Sequence, residues 1–148
     1  MDWISHLLII WFLCLLFKVK KYRGVPIIAG VLPDVENISD VFGPSISSII
    51  HHGPIHTLIG ALFLSLLFAA FFERKEFKIV FILAFLAIVT HLILDSFIVL
   101  SGIMWLWPFS WQHYTLNLIW SNDIRPPIVF SILATIIYFI NRNKKLNL

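Results

Sequence analysis

Residues 79–107 read IVFILAFLAIVTHLILDSFIVLSGIMWLW, and the fold turns on how those 29 residues are disposed. The stretch holds no Lys, Arg or Glu, and its only carboxylate is Asp95. As one continuous helix it would be about 43 Å long at 1.5 Å per residue. A bilayer's hydrocarbon core is about 30 Å thick, so the segment must tilt, break or protrude. Three further apolar runs accompany it, at 3–17, 55–72 and 126–140. Basic groups stand at their ends: Lys18, Lys20, Lys21 and Arg23, then Arg74, Lys75 and Lys78, and last Arg142, Lys144 and Lys145. Positive side chains in such places anchor helix ends at lipid headgroups.

Composition points the same way. Of 148 residues, 59% are hydrophobic and 13% charged, with a mean hydropathy of +0.92. A water-soluble domain carries about 25% charged residues, and a small one exposes too much surface to hide such an apolar excess. The expectation is one membrane-embedded domain over residues 1–148, an all-α integral membrane protein of about four transmembrane helices. Abundant apolar residues and a net charge of only +3 exclude disorder. The basic residues form no continuous surface, so the bilayer is the expected partner and nucleic acid is not. A single cysteine, Cys14, excludes an intrachain disulfide and argues against a cysteine-based zinc site. The first run has its positive charges after it and no small-residue cleavage site, so it reads as a retained helix. With four crossings the basic residues divide five against six, a balance that sets no orientation.

Between the first two runs, residues 25–54 are apolar but interrupted by Pro26, Gly30, Pro33, Gly43, Pro44, Gly53 and Pro54. These interruptions forbid one continuous helix. Irregular backbone at membrane depth needs protein or water around it. The segment therefore reads as a re-entrant or interfacial element lining a polar cavity.

Ionisable residues in these apolar surroundings carry the functional signal. His91 and Asp95, four apart, share one helical face. An uncompensated Asp at a bilayer centre costs about 2.5–3.5 kcal/mol, so it calls for a partner. A His–Asp hydrogen bond between helices would answer that need, and so would a metal. The cluster His51, His52 and His56, in the run His-His-Gly-Pro-Ile-His, tips the balance towards metal. Imidazole with carboxylate suits zinc first, and manganese or iron as well. Pro54 is expected in the first turn of the second helix, with His56 facing inward behind it. Asp34, after Pro33, reads equally as a helix cap. Glu36 and Asp40 read as loop carboxylates, and His6, on an apolar face, is ambiguous alone. His113 sits among Trp105, Trp107, Trp111 and Tyr114, a set that suits the membrane interface.

In order, His6, Leu32-Pro33-Asp34, His51 with Gly53 and His56, His91 with Asp95, and Gly102 before Leu106-Trp107-Pro108-Phe109-Ser110 form a recognisable series. It resembles the YdjM-like family of inner-membrane-associated, metal-dependent hydrolases over about residues 1–113. The family has Asp where Glu36 stands and Arg where His52 stands, and Thr and Ser at the positions of Ile55 and Thr57. The resemblance implies a divalent metal held by His51, His56, His91 and Asp95, with Asp34 and His6 completing or supporting the site. A metal-activated water would then attack an ester or phosphoester of a lipid-like substrate at the inner membrane. Glu36 or Asp34 would act as general base, and His52 would donate a hydrogen bond to developing negative charge. The competing expectation is a non-enzymatic small transporter or scaffold built on a buried His/Asp network.

Overall fold

The computed structural model describes residues 3–35, 54–99 and 102–146. Its helices are α1 (Trp3–Leu16), α2 (Gly24–Ala29), α3 (Leu58–Ala69), α4 (Phe77–Asp95) and α5 (Arg125–Leu146). Among the described residues there is no strand. Two isolated bridges, Ile98 with Ile119 and Ile103 with Tyr114, fasten the segment that follows α4.

α4 is the axis of the packing, touching α1, α2 and α3, while α5 lies on α1. Its buried positions are Val80, Ala84, Ala87, Ile88, His91, Leu92 and Asp95. They recur at three- and four-residue spacing and so form one stripe. α3 meets that stripe with Ala61, Ser65 and Ala69, a small residue every fourth position. Small side chains on successive turns let two backbones approach closely, the usual packing of helices in lipid.

The outside of the bundle is apolar and its inside holds the polar groups. Leu62, Phe63, Leu66 and Leu67 of α3 are exposed, as are Ile82 and Leu86 of α4 and Ile132, Ile136 and Phe139 of α5. His6, Asp34, His56, His91 and Asp95 are buried. Against water, each exposed apolar ångström squared forfeits about 25 cal/mol; against hydrocarbon that penalty disappears.

The helical class expected from the sequence is present, but the expected four crossings are matched in part. Only α4, with 19 residues, is both long and apolar enough to cross a membrane among the described residues. α1 and α3 are apolar but have 14 and 12 residues, about 21 and 18 Å. α5 has 22 residues, and its C-terminal turns are polar in sequence.

The 29-residue stretch resolves its excess length by breaking at Asp95. The Ser96 amide still bonds to the Leu92 carbonyl, and its hydroxyl turns back to the same oxygen at 3.0 Å. Beyond it, the amides of Leu116, Leu118 and Ile119 donate to the carbonyls of Ser96 and Phe97. Those carbonyls are taken by a returning chain, so the helix cannot continue. Ahead of α3, Pro54 lies outside the helix and not in its first turn. Thr57 competes as the N-cap: its hydroxyl accepts from the Gly60 amide at 2.9 Å and donates to the Pro54 carbonyl at 2.7 Å. Of the interrupted segment, α2 and a tight turn at 33–35 are seen; residues 36–53 lie outside the described residues.

At the far end of α4, Tyr22 and Lys21 both donate to Glu76 Oε1, at 2.9 and 3.3 Å. The Tyr22 hydroxyl first, and then the Lys21 ammonium, hold the Glu76 carboxyl below its ordinary range. This clasp ties the α1–α2 connection to the start of α4.

α1 ends in a two-bond cap: the Lys18 amide reaches the Leu15 carbonyl and the Val19 amide the Cys14 carbonyl. Lys18 has φ 55°, left-handed backbone in which a Cβ is crowded. Lys18→Gly should therefore stabilise the fold by about 1 kcal/mol. The check is the thermal midpoint of both proteins in the same detergent, and a midpoint equal to or below wild type would contradict the strain.

Candidate metal centre

Three segments converge at the last turns of α4. His91 and Asp95 come from the buried stripe of α4 itself. Asp34 comes from the turn after Pro33, where its amide bonds to the Val31 carbonyl. His56 precedes the Thr57 cap of α3, so that the cap fixes where its ring sits. One ligand atom from each of Asp34, His56, His91 and Asp95 lies within 4.8 Å of all the others, and all four residues are buried.

Three of them close a triangle. His91 Nε2 is 3.0 Å from Asp95 Oδ2 and 3.3 Å from His56 Nε2. His56 Nε2 is 3.7 Å from the same Asp95 Oδ2. Ligands at about 2.0–2.1 Å from a tetrahedral ion are separated from one another by about 3.3–3.4 Å, so the triangle has the size of one face of such a site. Asp34 Oδ1 stands 3.7 Å from His91 Nε2, towards the fourth corner.

Electrostatics supplies a second argument. His91 Nδ1 lies 2.8 Å from the Gly30 carbonyl oxygen, which only accepts, so Nδ1 carries the proton. Nε2 of the neutral ring then presents a lone pair to the Asp95 carboxylate at 3.0 Å. Two lone pairs in that position repel unless a cation lies between them or a second proton sits on the ring. The carbonyl–imidazole pairing is also the arrangement that orients metal-bound histidines. Asp95 moreover stands in the last turn of α4, where the helix dipole disfavours an anion and favours a cation.

Asp95 divides its two oxygens. Oδ2 belongs to the triangle, whereas Oδ1 accepts from His6 Nε2 at 3.1 Å. The His6 ring stacks on that of His91, with centroids 3.8 Å apart and planes 19° from parallel. His6 thus touches both α4 residues and lies outside the four-atom cluster. Of the other sequence candidates, Glu36, His51 and His52 lie outside the described residues. His113 is exposed, its Nδ1 donating to the Gly102 carbonyl at 3.2 Å.

The sequence reading missed two contributors. The Gly30 carbonyl sets the His91 tautomer, and a Cβ on Gly30 would overlap the Ile10 side chain of α1. Thr57 positions His56, and its place directly before an apolar run was a readable cap signal.

A family model described as YdjM inner membrane protein matches residues 1–148, the whole chain. The chain belongs to the YdjM inner membrane protein family. Its location is therefore the inner membrane, in keeping with the apolar exterior and with α4. No curated protein and no solved structure matches the chain.

Gly60 lets the turn that carries His56 lie against α3, since a Cβ there would overlap the carbonyl oxygens of Pro54 and Ile55. Gly60→Ala should cost about 1–3 kcal/mol, as overpacking does, and should weaken retention of a bound metal by displacing His56. Thermal unfolding and metal content of the variant check both effects together.

Proposed function

We propose that this member of the YdjM family is a membrane-embedded, metal-dependent hydrolase that cleaves an ester or phosphoester of a lipid-like substrate. The observation that supports it most is the buried triangle of His56, His91 and Asp95, in which His91 Nε2 lies 3.0 Å from a carboxylate oxygen and 3.3 Å from the second imidazole. Two imidazoles and one carboxylate form a ligand set used by catalytic zinc, and manganese or iron accept it too. A divalent ion held there supplies Lewis acidity and lowers the pKa of water towards neutrality.

The chain's own groups then have separate tasks. His56, His91 and Asp95 would hold the ion, and the Gly30 carbonyl would keep His91 in the tautomer that can bind. His6 donates to Asp95 Oδ1 and fixes the carboxylate plane, so that Oδ2 stays on the triangle. Asp34 acts as general base, taking a proton from the attacking water and returning it to the departing alcohol oxygen. Glu36 was the other base expected from the sequence, and of the two Asp34 is the one described beside the triangle. In this reading α1, α3, α4 and α5 all cross the bilayer, the two shortest in a locally thinned region. The substrate then enters from the lipid phase.

One observation favours a non-enzymatic reading: every ring and carboxylate of the cluster is buried, with side-chain exposures of 0–5%. A closed polar network of this kind would serve a small transporter or scaffold, with the second proton on His91 in place of the ion.

Elemental analysis of detergent-purified protein separates the readings. The hydrolase reading expects about one equivalent of a transition metal in the wild type and none in His91→Ala or Asp95→Ala. Full metal content in both variants, or none in the wild type after reconstitution with zinc, manganese and iron, overturns it. Asp34→Asn should keep the metal and lower ester hydrolysis by about 10²–10⁴-fold, the usual worth of a general base. Ion flux into liposomes that survives chelation would instead support the transporter.

A further inference from the structure

Two cavities flank the residues next to Asp95. The first, of about 510 Å³, is an apolar slot between α1, the end of α4, the loop at 118–119 and the start of α5. Ile9, Leu94, Leu118, Val129 and Phe130 are among its walls. Ile9 lies one helical turn after His6, and Leu94 directly precedes Asp95, so the slot runs along α4, which carries two cluster residues, and α1, which carries His6. Leu118 and Val129 are more than half or half exposed, at 64% and 50%. Asp123 and Arg125 also border the slot, but the guanidinium Nε bonds both Asp123 oxygens at 2.9 Å, so the pair presents no net charge.

The second cavity, of about 500 Å³, is a cup of mixed lining, in which Ser96, Gln112, His113, Tyr114 and Thr115 stand among the apolar Ile93 and Leu116 and the Trp105 ring. It contains hydroxyls, an amide, an imidazole and aromatic faces, and no Lys, Arg or carboxylate. Phe97 belongs to both linings, so slot and cup meet there. A phosphate head would call for Arg or Lys. The Ser96 and Thr115 hydroxyls already donate to the Leu92 and Ile98 carbonyls, and the Trp105 N–H to Ser96, so the cup offers Gln112, His113 and Tyr114 beside ring faces, groups that suit glycerol or sugar hydroxyls.

We infer that slot and cup together bind one lipid, its acyl chain in the slot and an uncharged, hydroxyl-bearing head in the cup. The inference rests on the hydrolase reading and deepens it, naming a neutral acylglycerol-like lipid as the substrate class. An acyl chain matches an uncharged apolar groove in an inner membrane protein, and the cup that meets the slot at Phe97 would hold its head two residues along the chain from Asp95, which itself lines neither cavity. The ester of such a lipid would then lie near Phe97, at the end of α4 where the metal centre is built.

Photolabelling tests the site without requiring turnover. The full chain is placed in phosphatidylcholine nanodiscs with a palmitoyl monoacylglycerol that carries a diazirine in its chain. Labels should concentrate on peptides containing Leu118, Ile119, Val129 and Phe130, above those on the exposed lipid-facing residue Phe63. Val129→Trp, which fills the slot, should reduce that labelling by about tenfold, the change expected when about two methylenes lose their buried contacts. Labels spread evenly over the slot and Phe63 in the wild type overturn the inference, whether or not the variant folds. Equal slot labelling by a phosphate-headed analogue of the same chain length overturns the neutral head. Labelling confined to the slot in protein that has no metal and no esterase activity would keep the lipid site and remove the hydrolase, so the two failures are distinguishable.

Discussion

The contact between His91 Nε2 and Asp95 Oδ2, at 3.0 Å, sets the terms for everything around it. It sets an imidazole nitrogen against a carboxylate at the negative end of a helix, out of water, where either a cation between them or a second proton on the ring must supply positive charge. No packing of apolar side chains relieves that opposition; positive charge does. Around it the protein adds a carbonyl to hold the imidazole, a second imidazole to complete the triangle and a third to restrain the carboxylate. The carbonyl and the second imidazole suit the arrangement to a cation, while the hydrogen bond from His6 offsets part of the cost of burying the carboxylate.

The fold can be understood as the means of delivering these groups. α4 carries its two site residues on the same stripe that packs against α1, α2 and α3, so burial of the stripe buries the site. Small residues on α3 bring that helix close, and the Thr57 cap leaves His56 at its entrance. α2 is short because the chain must turn back to offer the Gly30 carbonyl and then Asp34. Breaking α4 at Asp95 has a further consequence. The carboxylate lies at a helix end, next to a returning loop rich in Trp and Tyr, and not midway along a 29-residue rod. The carboxylate stays buried there, and its compensation comes from the His6 and His91 rings that meet its two oxygens.

The resemblance read from the ordered motifs agrees with the family match, and the match extends it over all 148 residues. What the motifs imply chemically is less uniform. His6, Asp34, His56, His91 and Asp95 come from five positions as far as 89 residues apart in the chain, yet all five meet. Within that group the geometry gives different places: three residues share one triangle, Asp34 faces its open side, and His6 stands behind Asp95. A motif lists residues without distinguishing those that would touch an ion from those that would hold its ligands.

How much was legible beforehand follows from the range of each interaction. Helical class, membrane residence and the common face of His91 and Asp95 are properties of local composition and of the 3.6-residue period, so the sequence determined them. It also required that the 29-residue stretch could not remain one straight crossing helix. Where it breaks depended on amides near 116–119 finding the carbonyls of Ser96 and Phe97, partners about twenty residues away. The same holds for the tautomer of His91, set by a carbonyl 61 residues earlier, and for the shared oxygen of Asp95, approached by His56. Hydropathy and spacing carry no through-space distance, and the chemistry of this site depends on differences of tenths of an ångström. Those were decided only when helices with small-residue faces closed on one another.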